Sequence, residues 1–311
     1  MDLLERGAEL AELASLLERA ASAEGHLVLL GGEAGVGKTA VVRHLCERAA
    51  GTAQVLKGAC DPLSTPRPLG PLLDIAHAVG GELAQLVAAD APRHMLFRAA
   101  LAALTISRPT LFVIEDAHWA DEATLDLLRF LGRRIDGTHS LVLVTYRDDE
   151  VGPTHPLRIV TGDLATAAAV HRMVLPPLTP AAVQTLASGS GMDPTALYRR
   201  TGGNPFFVTE VLASSEHGIP ATVQDAVLAR VTRLSLSARS ILDAAAVIGA
   251  RIEPWLLDAI GGADADADDS ALRRASSAWS ATCLHFATSS PGTRSWRRSR
   301  TGGAASCTPR C

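Results

Sequence analysis

The sequence predicts an α/β fold, a parallel sheet sandwiched between helices. Three observations carry that expectation. Short apolar runs recur at HLVLLG (26–31), AQVLKGA (53–59), TLFVIED (110–116) and SLVLVTY (140–146). Between them lie segments with apolar residues at helical spacing, the alternation that builds a parallel sheet with helices on both faces. After MVLPPL (173–178) the strands stop, and the chain reads as helical to about residue 260.

Each element has a local reason. Residues 3–20, LLERGAELAELASLLERA, space leucines three and four apart, the stripe of an amphipathic helix. The run at 26–31 is apolar throughout and closes on glycines, as a strand buried on both faces does. A helix follows from Lys38 to about residue 50, and a Pro-rich stretch (62–71) leads to helical segments near 71–79 and 93–105. Residues 121–134 are amphipathic. Thr179 starts a further helix, with Pro180 at its first position, where the missing N–H costs nothing.

Composition narrows the function classes. The 311 residues hold 29 Lys+Arg and 33 Asp+Glu, and only Lys38 and Lys57 are lysines. Every acid lies in 1–270, which carries a net −11; residues 271–311 hold seven arginines and no acid. An acidic body argues against a general nucleic-acid coat. No run of about 18 apolar residues is present, so no membrane span is expected. The charged start, MDLLERGAEL, is not a signal peptide. Five cysteines with no Cys-x-x-Cys pair fit a reducing cytoplasm better than a disulfide framework or a zinc site.

The most informative motif follows the first strand. Gly32-x-x-x-x-Gly37-Lys38-Thr39 is the phosphate-loop pattern. Glycines let the backbone N–H groups of Gly35, Val36, Gly37 and Ala40 curl around phosphates without a Cβ in the way. The helix that begins at Gly37 adds the positive end of its dipole. Lys38 reaches the β and γ phosphates as a point charge, and the Thr39 hydroxyl is a Mg²⁺ ligand. Such a loop needs an acid at the end of a neighbouring strand to hold Mg²⁺ and orient water, and Glu115 and Asp116 supply it. Strand alternation lets only one of the two point directly at the loop. A third strand ends in Thr145 and Arg147, placed to sense a γ-phosphate; Trp119 reads as packing.

With these residues in place, the chain resembles the N-terminal ATPase part of large ATP-binding regulators of the LuxR type. Those regulators belong to the STAND class of signalling ATPases, related to AAA and origin-recognition-like ATPases. The resemblance covers about 3–260. The opening box, roughly GREAEL, matches Glu5-Arg6-Gly7-Ala8-Glu9-Leu10, with Glu5 in place of the usual glycine. DDLHWAD matches Glu115 to Asp121, TYR matches Thr145 to Arg147, and GNPFF matches Gly203 to Phe207. The stretch from Pro220 to Gly249 is similar to the family's winged-helix-like segment.

The resemblance implies an ATPase core over 1–178, a helical lid with the GNP motif over 179–218 and a winged-helix-like segment over 219–262. It implies that Arg6 lies near the adenine or ribose and that Pro205 packs close to the base. Lys38, Glu115, Asp116 and Arg147 are then the residues that act on ATP. Gly32, Gly35, Val36, Gly37, Lys38, Thr39 and Ala40 cradle ATP or ADP, and Thr39, Glu115 and Asp116 hold Mg²⁺. The implied function is a slowly hydrolysing, cytoplasmic regulatory switch that self-associates or answers an inducer. Its sensor repeats and DNA-binding domain would be missing from this chain, so no direct DNA contact is expected. Two alternatives stand beside it: an origin or DNA-remodelling ATPase, and a nucleotide-binding interaction module without hydrolysis. A nucleoside or sugar kinase would leave HWAD and GGNPFF unexplained.

Residues 263–311 are expected to be disordered. A shifted reading frame accounts for their composition: GC-rich codons chosen for 287–296, read from the third base, give HELARDAVV, similar to a stretch common after the family's winged-helix-like part. The coding DNA beyond codon 270 tests that expectation.

Overall fold

The computed structural model describes residues 3–106 and 108–213, together with the isolated positions 225, 228, 231, 232 and 239. The chain divides into two compact units, 1–212 and 213–311. The account below concerns the first. The expected winged-helix-like segment and tail lie outside the described residues apart from those isolated positions.

The first unit begins with helix α1 (Gly7–Ala21), followed by β1 (His26–Gly31), α2 (Lys38–Ala49) and β2 (Gln54–Ala59). Three helices come next: α3 (Gly70–Val79), α4 (Gly81–Ala88) and α5 (Arg93–Leu104). Then come β3 (Thr110–Glu115), a 3₁₀ turn at Ala117–Trp119, α6 (Glu122–Gly132), β4 (Ser140–Thr145), α7 (Pro156–Asp163) and β5 (Val170–Val174). The helices α8 (Pro180–Ala187), α9 (Pro194–Thr201) and α10 (Pro205–Ala213) complete the described part. Up to residue 213 the strand and helix segments expected from the sequence are present, and α4, α7 and β5 are additions; the helical reading beyond 213 lies outside the described residues.

All five strands are parallel, in the order β2-β3-β4-β1-β5. The crossover matters for function: β4 lies between β1 and β3, so its end separates the phosphate loop from the acidic pair. The register sets Thr145 level with Leu30. The central strands are buried along their length, whereas the edge strands β2 and β5 alternate or lie half-exposed. This is the pattern of a sheet covered on both faces at its centre only.

Side-chain alternation divides the core in two. Val28, Leu30, Leu111, Val113, Leu141 and Leu143 face α1 and α2, where Leu13, Leu16, Val41, Val42 and Leu45 meet them. Leu27, Leu29, Phe112, Ile114, Val142 and Val144 face the other way, against Leu72, Ile75, Leu104, Leu127, Leu131 and Val160. A smaller third cluster joins Leu178, Val183, Leu197 and Val208 of α8–α10. Helix starts are fixed by side-chain caps where the chain turns sharply: Asp121 accepts from the Thr124 N–H, Thr179 from Ala182, and Asp193 from Thr195 and Ala196. Among the described residues no helix is long and apolar enough to cross a membrane.

Candidate functional site

The site forms at the carboxyl ends of β1, β3 and β4. The loop from Gly32 to Gly37 turns back on itself through left-handed backbone at Gly35 (φ 83°) and Gly37 (φ 103°), conformations a side chain would strain. Gly37 caps α2 and brings no side-chain acceptor, so an incoming anion meets the helix's first-turn N–H groups. Gly32 opens the loop, Val36 is fully buried within it, and Ala40 lies in the first turn of α2. Thr39 is exposed at the same end.

Lys38 is buried, and its ammonium donates to the carbonyls of Gly32 (2.6 Å) and Glu33 (3.0 Å). Burial pushes its pKa down, while Asp149, and more weakly Asp148 and Asp116, favour the charged form; Arg147 opposes it. The lysine thus curls onto its own loop, paired with dipoles that phosphate oxygens would replace at a gain, since an ion bonds more strongly to an opposite ion than to a carbonyl.

The two acids have separate surroundings. Glu115 ends β3 on the face covered by α2, and its carboxylate pairs with Lys57 of β2 at 3.1 Å. Asp116 leaves the strand in a left-handed conformation (φ 57°), which costs a non-glycine residue about 1 kcal/mol. Its backbone N–H donates to the Thr145 hydroxyl at 3.1 Å, holding the turn. Burial raises the Asp116 carboxyl's pKa; Arg147 and Lys38 counter the rise, and Glu115 and Glu150 add to it. Asp116 therefore feels both cations of the loop region, and Glu115 is matched to a cation on the neighbouring strand.

Arg147 follows β4. Its guanidinium bonds Glu150 at 2.6 Å and lies over the Trp119 ring at 4.8 Å, while its backbone N–H donates to His118 Nδ1 at 3.4 Å. Trp119 thus packs, as the sequence suggests, and also carries the arginine. Asp121 of the same box has a structural task. Beyond capping α6, it accepts the Leu69 N–H and ties the loop before α3 to the turn after the acids.

The opening box lies behind the loop. Arg6, 3% exposed, donates to the carbonyls of Val36 (3.2 Å) and Pro176 (2.6 Å), joining the phosphate loop to the chain entering α8. The guanidinium faces backbone carbonyls of the loop, and burial lowers its pKa. Glu5 is left-handed (φ 54°), which accounts for the glycine usual in the boxes this one resembles. Its carboxylate accepts from the backbone N–H (2.8 Å) and the hydroxyl of Thr179, the cap of α8.

The GNPFF box also contacts the loop. Pro205 opens α10 half-buried, as the first helical residue. The residue that reaches the loop is Asn204, which the sequence placed in the box without a role. Its Nδ2 donates to the Ala34 carbonyl at 3.0 Å. The only sequence signal for it was a polar side chain directly before the proline of a helix start.

The donor set fits Mg²⁺ and a nucleotide. A hydroxyl at the head of α2 and carboxylates at the end of β3 are the hard oxygen donors that magnesium takes alongside phosphates. The loop, the uncapped helix end and Lys38 offer the N–H groups and the charge a polyphosphate needs.

Comparison with known proteins agrees with this geometry. Residues 2–144 match the family model described as the AAA ATPase domain. No curated protein matches the chain at the sequence level. Among solved structures, Cdc6p from Pyrobaculum aerophilum is similar with a TM-score of 0.50 at 17% identity, over 79% of this chain and 74% of that one. A Walker-type ATPase of Pyrococcus abyssi is similar with a TM-score of 0.55 at 16% identity, over 83% and 88% of the two chains. At these identities the likeness concerns the fold, a five-stranded parallel sheet with flanking helices.

Proposed function

We propose that this protein is a regulatory ATP switch that binds ATP or ADP with Mg²⁺ and hydrolyses ATP slowly. The observation that supports it most is the convergence of Lys38, Asp116, Thr145 and Arg147 on one end of the sheet, from the loop after β1 and the ends of β3 and β4. Arg147 and Lys38 are the two cations that counter the burial-driven rise in the Asp116 pKa. That set binds phosphates, orients water and senses the terminal phosphate in one place.

In this reading Lys38 leaves the Gly32 and Glu33 carbonyls for the β and γ phosphates, and the loop N–H groups take the phosphate oxygens. Thr39 and Asp116 would hold the metal, with Glu115, now paired with Lys57, as a further carboxylate beside it. Bound Mg²⁺ would offset phosphate charge and fix the leaving group's geometry. Thr145 keeps Asp116 in its left-handed turn. Arg147 leaves Glu150 and Trp119 when a γ-phosphate offers a stronger partner, so its position distinguishes ATP from ADP. The resemblance to STAND-class, LuxR-type regulators supports the regulatory part, since their boxes recur here from Glu5 to Phe207.

A second reading, an origin-type AAA ATPase, is favoured by one observation. Arg200 in the last turn of α9 is half-buried, with its pKa lowered by that burial, as an arginine sensor in a lid would be. ATP turnover by the full chain, with and without Lys38→Ala and with and without duplex DNA, tests both. The switch predicts slow, Lys38-dependent turnover and tightly retained ADP, indifferent to DNA. Wild-type turnover no higher than the variant's removes the hydrolase claim, and DNA-stimulated turnover favours the second reading.

A further inference from the structure

We propose that Asn204 is a positioning residue for the nucleotide, a latch through which the helical lid sets the shape of the phosphate loop. The inference rests on the ATP-binding reading above and names how the lid acts on that site.

Asn204 is 2% exposed, and its side chain is used at both ends. The amide Nδ2 donates to the Ala34 carbonyl at 3.0 Å, across 170 residues of sequence, and Oδ1 accepts the Phe206 N–H at 3.2 Å. The same Phe206 N–H also reaches the Gly35 carbonyl at 3.2 Å. One short segment of the lid therefore holds two consecutive carbonyls of the loop.

The approach is close enough to dictate sequence. A Cβ on Gly35 would lie 2.8 Å from Phe206 Cβ and 2.9 Å from Asn204 Oδ1, so the second loop glycine is needed for the lid as well as for its own left-handed turn. The consequence for the ligand follows from peptide geometry. In a planar trans peptide the C=O and the next N–H point in opposite directions. Drawing the Ala34 carbonyl toward the lid turns the Gly35 N–H the other way, while the Val36 N–H closes the loop on the Glu33 carbonyl at 3.2 Å. Without the latch the Ala34–Gly35 peptide loses its lid partner and must be reordered at each binding event.

The lid has its own reasons to stay in register. The Leu178 N–H donates to the Gly203 carbonyl, and the Thr179 cap is bonded to Glu5. Movement of α8–α10 relative to the sheet would pull directly on the Ala34 and Gly35 carbonyls. Nucleotide release and lid displacement are then one event seen from two sides.

The test uses the full chain and fluorescent mant-ADP and mant-ATP. Asn204→Ala removes both bonds. Asn204→Asp keeps the acceptor for Phe206 and sets a carboxylate oxygen against the Ala34 carbonyl. Both variants are expected to raise Kd for both nucleotides about tenfold, mainly through faster dissociation, the scale of losing one buried hydrogen bond. KM for ATP should rise with them, while kcat at saturation stays within about twofold, because Asp116, Thr145 and Arg147 are untouched. A purely structural role would lower the amount of folded protein without changing KM.

Wild-type affinity in both variants overturns the latch and leaves the ATP-binding reading standing; a wild type that binds neither nucleotide overturns both. If the variants do not fold, hydrogen exchange of the wild type decides. Slower exchange of the Phe206 amide with ADP present supports the latch, and unchanged exchange overturns it.

Discussion

The two ends of the sheet bury polar groups for different purposes. At the amino end, the Ser140 hydroxyl, fully buried, donates to the Leu104 carbonyl at 2.8 Å, and the His139 N–H donates to the same carbonyl. The Thr110 hydroxyl bonds Arg108, and His26 and His171 meet through their ring nitrogens at 3.2 Å. Those partners are backbone or neighbours that no ligand would replace. At the carboxyl end, Lys38 bonds carbonyls of its own loop, Arg147 rests on Glu150 and Trp119, and Asp116 is held left-handed by Thr145. In the proposed function the Lys38 and Arg147 contacts are the ones that phosphate would replace, while Thr145 keeps the Asp116 turn. A buried polar group with a stronger partner available outside the chain marks the working end of the fold.

The largest expected contrast is between the shared core and either end. Phe112 is 1% exposed at the centre of the sheet, and Phe112→Ala should cost about 3–5 kcal/mol in urea unfolding. Lys38→Ala should weaken ADP and ATP binding by about 2–3 kcal/mol, the range for a hydrogen bond to a charged group, while nucleotide-free stability stays within about 1 kcal/mol of wild type. A comparable loss of stability in both variants would erase the distinction between core and working end.

At intermediate scale, the two ends can be set against each other with one hydroxyl each. Ser140→Ala should cost about 1 kcal/mol of stability and leave nucleotide affinity alone. Thr145→Val frees the Asp116 turn and should reduce ATP turnover about tenfold, with stability falling no more than in Ser140→Ala. Equal turnover in the two variants would show that Thr145 serves the fold only.

The smallest effect concerns pH. Burial, helped by Arg19 and His171, lowers the pKa of His26. The unfolded chain then binds the proton more readily, so stability is complete above the unfolded value, about 6.5, and is lost as pH falls from there toward the folded value. His26→Asn should flatten that acid-side slope in thermal melts between pH 5 and pH 7, and an unchanged slope would assign it elsewhere.

The sequence was a good guide where one local rule governed. Strands closing on glycines or acids, and the spacing from Gly32 to Thr39, carry their own chemistry, so the sheet and the phosphate loop were legible. Helix α4 was not, because Gly80 and Gly81 read as a turn and the eight-residue segment is too short for Glu82 and Gln85 to mark a period. Helix α7 starts after His155, an uncommon cap, within a stretch whose prolines and glycine suggest a loop. The division of labour between Glu115 and Asp116 was hidden because it depends on a left-handed residue that breaks strand alternation. The lid contact of Asn204 spans 170 residues, and its only local trace is a polar side chain before Pro205.

The comparison comes to its sharpest test in thermal unfolding of wild type, Lys38→Ala and Ser140→Ala, each with and without ADP and Mg²⁺. A ligand at about 100 times its Kd adds about 2.7 kcal/mol to the folded state. The account predicts that increment in the wild type and in Ser140→Ala, from a lower baseline in the latter, and less than about 1 kcal/mol in Lys38→Ala at the same concentration. An equal increment in all three proteins, or none in the wild type, would contradict it.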